Sequence, residues 1–278
     1  MCVARLLLII FLLGVLPVSA QTYDEWIEVS FQCLDKDDLV GAEESLKRAL
    51  NQEPANPRNI LLLANLGTIQ KRQGKLDDAL QSYELALTRN PNNAMLLSNR
   101  ANLYTEKGEY EKAIVDYTAI LAFKEEDQDA LYERGLLRLA MKDYLSAEAD
   151  FEKIIEVNPN SLNGRKGYAN LCKMKKEFDE AEKIYYFLIE KVTDDPGLYL
   201  GRAELYLLMK KNARAASDIN KAIFLEEKTG KKDPYAYILR ARLKMIQYEK
   251  ESAIKDIELA MELGYDQKKG EELLKLCQ

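Results

Sequence analysis

Four arginines each stand 16 residues ahead of an aspartate: Arg100 and Asp116, Arg134 and Asp150, Arg202 and Asp218, Arg240 and Asp256. At the matching points of three other segments both partners are missing together: Val29 with Ser45, Leu66 with Ser82, Tyr168 with Ile184. A guanidinium and a carboxylate fit each other in forked, two-point geometry. Removing one partner of a buried pair strands a charge at ~3–5 kcal/mol, so a both-or-neither pattern marks partly buried ion pairs between two elements. The arginines could instead hold an acidic ligand in a groove, but that use does not call for matched aspartates. All eight residues are therefore read as structural ion pairs.

Other chemistry is sparse. The chain has no histidine, which removes Ser-His-Asp and Cys-His catalysis together with histidine metal sites. No glycine-rich phosphate loop is present. Beyond Cys2, the cysteines are Cys33, Cys172 and Cys277, without close metal-ligand spacing. Cys33 and Cys172 lie four repeats apart, so no disulfide is expected within the chain, and Cys277 is expected to be exposed. No catalytic residue, metal or cofactor is expected, although abundant carboxylates keep a carboxylate-based hydrolase as a remote alternative. With 46 acidic residues against 40 basic, the chain has no electrostatic reason to bind nucleic acid.

The elements that position these residues announce themselves by spacing. Ala79, Ala113, Ala147, Ala181 and Ala215 recur every 34 residues, and Ala42 and Ala253 extend the series. An interval of this size means stacked supersecondary units rather than one globular core. Twelve residues before each alanine stands another small residue: Ser30, Gly67, Ala101, Gly135, Ala169, Ala203 and Ala241. Four residues after each stands a large one, expected to fill space between units: Leu46, Tyr83, Tyr117, Phe151, Tyr185, Ile219 and Ile257. Apolar spacing within segments is three to four, which is helical. Pro54, Pro57, Pro91, Pro159, Pro196 and Pro234 all fall at junctions, where proline does least harm. Asn90, Asn158, Asp195 and Asp233 precede four of them and are expected to cap the following helices. Gly74 and Gly108 mark tight turns inside repeats.

This pattern resembles the tetratricopeptide-repeat family, 34-residue helix–turn–helix units. Trp26, Ala42, Leu46, Ala49 and Pro54 fit the first unit; Leu63, Leu66, Gly67, Ala79, Tyr83, Ala86 and Pro91 the second; Ala101, Tyr104, Ala113 and Tyr117 the third. The resemblance implies an all-α fold, a right-handed superhelical solenoid of seven repeats over 21–265. The repeats fall near 23–56, 60–93, 94–127, 128–161, 162–195, 196–233 and 234–265, with a capping helix over 266–278. Extra residues at Ala55–Asn59 and Lys228–Lys232 are expected to bulge from one edge.

In such a stack first helices line the concave side. Register places Asn65, Asn99, Asn102, Tyr132, Leu136, Lys166, Asn170, Leu200, Glu204, Tyr235, Ile238 and Arg242 there. This mixture of amides, aromatic rings and aliphatic area suits an extended peptide or a helix of another protein. Some family members grip a C-terminal carboxylate with lysines and asparagines of successive first helices. Lys166 and Asn170 match part of that clamp, but Gly201, Tyr235 and Leu239 stand where its other polar residues should be. Lys173, Lys175, Lys176, Lys210, Lys211 and Arg214 are expected to form a basic stripe along adjacent turns.

Residues 1–20 differ from the rest. Arg5 precedes an apolar run from Leu6 to Leu16, followed by small residues ending at Ala20. The run is too short to span a bilayer, which takes ~20 residues, and reads as a cleaved secretory signal, with an uncleaved membrane anchor as the rival reading. The expected protein is exported, periplasmic, envelope-associated or secreted, with no membrane span after cleavage. The expected function is a non-catalytic scaffold binding a protein or peptide in the concave groove. The alternative is an architectural subunit of a cell-envelope assembly that works through its edges or ends.

Overall fold

The computed structural model describes residues 21–277. The expected signal, residues 1–20, lies outside the described residues. Among those described there are fifteen α-helices and no strand.

Contacts divide the chain into two units that meet between Asn99 and Arg100. The first contains α1 (Tyr23–Asp35), α2 (Leu39–Gln52), α3 (Asn59–Arg72) and α4 (Leu76–Arg89), and it takes in the start of α5 (Ala94–Glu106). The second continues with α6 (Tyr110–Phe123), α7 (Gln128–Ala140), α8 (Tyr144–Val157), α9 (Leu162–Lys175) and α10 (Phe178–Lys191). It ends with α11 (Pro196–Leu208), α12 (Asn212–Thr229), α13 (Pro234–Ile246), α14 (Lys250–Glu262) and α15 (Gln267–Cys277). Odd-numbered helices up to α13 open the hairpins and even-numbered helices close them.

The periodic alanines let the hairpins close. Ala42, Ala79, Ala113, Ala147, Ala181, Ala215 and Ala253 are all completely buried. The large residue four positions on is a wedge. A Cβ added at Gly135 of α7 would come 2.7 Å from the Phe151 ring, and one at Gly167 of α9 would come 2.3 Å from it. Phe151 is thus clasped by the first helix of its own repeat and by that of the next. In the second unit α7 packs on α9 and α11 on α13. The spaces between α6 and α8 and between α8 and α10 form notches lined also by the intervening first helix.

Each of the seven intra-repeat turns is built alike. Asp37, Gly74, Gly108, Lys142, Lys176, Lys210 and Tyr248 all have φ between 57° and 76°. The following amide bonds back to the helix, as Asp38 N does to Cys33 O at 2.8 Å and Glu249 N to Lys244 O at 2.9 Å. This is the Schellman closure, which satisfies carbonyls that the helix end leaves free.

Junction capping departs from expectation at two of four sites. Asp195 and Asp233 accept from the amides of Gly197 and Tyr235, each with proline opening the helix. Asn90 and Asn158 instead close α4 and α8, and the caps of the next helices come three residues later, at Asn93 and Ser161. A proline directly after the asparagine starts a turn there rather than a helix. Of the Lys228–Lys232 insertion, Lys228 and Thr229 are helical and residues 230–232 lie in the junction. The insertion lengthens α12 to 18 residues, ended by Gly230 at φ 71°.

Helix α15 lies against α14. Cys277, expected to be exposed, is 3% exposed and packs with Ala241, Ala253 and Ile257, while Leu276 faces outward. Cys33, Cys172 and Cys277 are unpaired. No helix among the described residues is long and apolar enough to cross a membrane.

Candidate functional site

Each arginine and aspartate of the 16-residue pattern meets its partner through two hydrogen bonds. Arg100 Nε and Nη2 donate to Asp116 at 2.9 and 2.6 Å, and those of Arg134 to Asp150 at 3.1 and 2.7 Å. The Arg202–Asp218 bonds are 2.7 and 2.8 Å, and the Arg240–Asp256 bonds 2.9 and 2.7 Å. The aspartates are only 2–5% exposed. A second cation one helical turn beyond the arginine joins two of them: Arg138 on Asp150 at 2.6 Å and Lys244 on Asp256 at 2.7 Å. Arg134, Arg138 and Asp150 line a notch between the second helices α6 and α8.

In the second repeat the same register is neutral. Ser82, at the aspartate position, donates to Gln70 at 2.7 Å, and Gln70 donates to Glu43 at 3.2 Å. Glu43, buried in α2, also meets Lys47 and Lys75 at 2.7 Å. Burial works to raise its pKa, but the hydrogen bonds from Lys47, Lys75 and Gln70 outweigh it and hold the carboxyl at about 2. Sequence reading missed this network, because its members share no fixed interval.

The first helices of the second unit carry a row in common register: Asn102, Leu136, Asn170, Glu204 and Arg242. The wedge tyrosines reach it. Tyr117 Oη donates to Asn102 Oδ1 at 2.8 Å, and Tyr185 Oη to Asn170 Oδ1 at 3.2 Å. Fixing the amide oxygen presets the asparagine and leaves its amino group as a donor. Glu204 accepts from Lys173 at 2.6 Å and from Tyr235 Oη at 2.8 Å. Burial would raise the Glu204 carboxyl, yet Lys173 and Tyr235 hold it below its ordinary range. Burial and the Glu204 charge push the Tyr235 hydroxyl strongly upward. Leu136, Leu139, Met174 and Leu208, with Asn170 and Glu204, line an open cavity of about 350 Å³ on this face.

Other residues placed in the groove by register have varied settings. Asn65 and Arg242 are exposed, and Asn99, Tyr132 and Lys166 are half-buried. The Tyr132 ring lies 6.2 Å from that of Phe151, tilted by 58°. Leu200 and Ile238 do not line an open face. They are 3% and 0% exposed and belong to one core cluster, because aliphatic side chains in successive repeats bury each other. The expected basic stripe is largely neutralised. Lys173 pairs with Glu204, Lys175 with Glu148 and Glu177, and Lys211 and Arg214 both with Glu182.

Tetratricopeptide-repeat family models match residues 60–93, 82–115 and 128–161. The crystal structure of a tetratricopeptide repeat protein from Parabacteroides merdae ATCC 43184 is 50% identical over 93% of this chain and 99% of that one, with a TM-score of 0.86. This chain belongs to the tetratricopeptide-repeat family. More distant tetratricopeptide-like folds include Pseudomonas aeruginosa PilF, at 22% identity, TM-score 0.55, covering 74% of this chain and 90% of that one. YrrB, described as a TPR protein with an unusual peptide-binding site, is 19% identical with TM-score 0.50, covering 67% of this chain and 94% of that one. At such identities the likeness is one of fold. Among curated proteins no significant relative is found. In this tetratricopeptide-repeat protein the carboxylate clamp is incomplete, since Leu239 is fully buried and Tyr235 is engaged with Glu204.

Proposed function

We propose that this tetratricopeptide-repeat protein is an exported, non-catalytic scaffold that binds a peptide or protein segment on the first-helix face of its second unit. The observation that carries the reading is the cavity beside Asn170 and Glu204. It combines apolar area from Leu136, Met174 and Leu208 with an asparagine preset by Tyr185. Apolar area supplies affinity, and a tethered amide suits the backbone of an extended chain. Lys166 on α9 and Arg242 on α13 add positive charge on first helices of the same unit. The apolar run of residues 6–16 and the small residues before Gln21 support export.

Affinity capture from the native source tests the binding face. The Lys166→Glu, Arg242→Glu double variant is expected to lose its partner at least tenfold, and equal recovery by both proteins overturns the reading. Export is checked by intact mass, which is expected to place the mature N-terminus at Gln21.

A further inference from the structure

The fifth repeat lacks the ion pair, and its notch carries different charge from that of its neighbour. In the fourth repeat Arg134 and Asp150 line the notch between α6 and α8. One repeat later, between α8 and α10, the same register holds Tyr168 and Ile184 around a cavity of about 440 Å³, close to the 460 Å³ of the first notch. Six lining positions of the first notch recur here one repeat on, with Thr118 replaced by Glu152 and Ala122 by Glu156. Glu180 completes the rim, and Ile155 and Ile184 add apolar area.

The charge of the notch is accordingly reversed. Glu152 has no ion-pair partner among the described residues, while Glu156 and Glu180 make only surface pairs with lysines three residues away. Such pairs are weak and yield readily to a better partner. Arg165 also borders the cavity, but its guanidinium is engaged elsewhere. It donates twice to Pro159 O, at 3.0 and 2.8 Å, and lies 4.2 Å from the centre of the Phe187 ring. Tyr168 brings an aromatic ring into a site lined by three carboxylates, a combination that favours a cation.

We propose that the notch at Tyr168 receives a cationic side chain, arginine or lysine, from a partner polypeptide. Charge complementarity selects that occupant. The chain's own architecture supplies the precedent, because in four other repeats this register holds a guanidinium against a second-helix carboxylate. The proposal concerns the second-helix side and does not depend on the first-helix face described above.

The test is methyl NMR of the full chain, following Ile155 and Ile184 during titration with N-acetyl-arginine amide, to tens of millimolar. N-acetyl-glutamine amide is the uncharged control. The arginine probe is expected to give saturable shifts at both methyls, and the control none. Glu152→Gln with Glu156→Gln is expected to weaken binding at least fivefold. Tyr168→Arg with Ile184→Asp, which rebuilds the ion pair of the neighbouring repeat, is expected to abolish it. Equal responses to both probes, no response to either, or undiminished binding by the folded variants would overturn the assignment.

Discussion

The hydroxyl of Tyr117 donates to Oδ1 of Asn102 across 2.8 Å, tying the second helix of the third repeat to its first. Tyr185 and Asn170 repeat the arrangement, and Tyr83 meets Thr68 at 3.1 Å in the first unit. Where the wedge is Phe151, the residue at the same spacing is Leu136. A hydroxyl thus goes with a polar partner and a bare ring with an apolar one. Tyr117→Phe is expected to cost about 1 kcal/mol, the usual net worth of such a bond. Adding Asn102→Leu, which copies the fourth repeat, is expected to recover most of it in urea denaturation.

The Arg202–Asp218 pair gives a sharper contrast. Asp218 is 5% exposed and its partner completes a two-point bond. Arg202→Met alone is expected to destabilise by about 3–5 kcal/mol, because the carboxylate stays buried and unpaired. Arg202→Met with Asp218→Leu removes both charges and is expected to fall close to wild type. Denaturation of the two single variants and the double closes the cycle.

Tyr248 holds φ 65° in the turn of the seventh repeat, and its side chain is 90% exposed. A residue with a Cβ is strained there, by roughly 1–2 kcal/mol. Glycine removes the strain but adds freedom to the unfolded chain. Tyr248→Gly is therefore expected to gain about 0.5–1 kcal/mol, visible as a raised Tm. The same change at Gly-containing turns has no counterpart, since Gly74 and Gly108 already supply the conformation.

Glu226 is 3% exposed, and its carboxylate makes no well-formed hydrogen bond, the Asp233 backbone offering only a loose contact. Burial pushes its pKa above the ordinary carboxylate range, the Asp233 backbone opposes this in part, and the Asp233 charge adds to it. Since the folded pKa is the higher one, the group costs nothing at pH values below its unfolded pKa, about 4.3. The penalty grows as pH rises and is complete above the folded pKa. Glu226→Gln is expected to be more stable than wild type by about 1 kcal/mol at pH 7, and the gap is expected to close below about pH 4. Parallel denaturation series across pH read this directly.

Much of this architecture is legible in the chain itself. The alanine interval, the small residues twelve positions before and the wedges four positions after specify helical hairpins, because each position has one steric duty repeated in every unit. Residues whose partners lie at no fixed interval are harder to see. Glu43 with Lys75 and Glu204 with Lys173 become neighbours only when adjacent hairpins pack. The Tyr117 and Asn102 relation does have a fixed spacing, and reading the wedges only as bulk hid their hydroxyls.

By itself, the sequence determined the family, the hairpin count and which arginine is matched with which aspartate, since local periodicity and a both-or-neither rule need no coordinates. Tertiary structure decided which surface positions are open. Leu200 and Ile238 share the register of groove residues yet bury each other, the basic turns find glutamates in neighbouring helices, and the notch at Tyr168 and Ile184 gathers three glutamates. Exposure and pairing depend on what the next repeat brings alongside, and that is a property of packing rather than of any one repeat's residues.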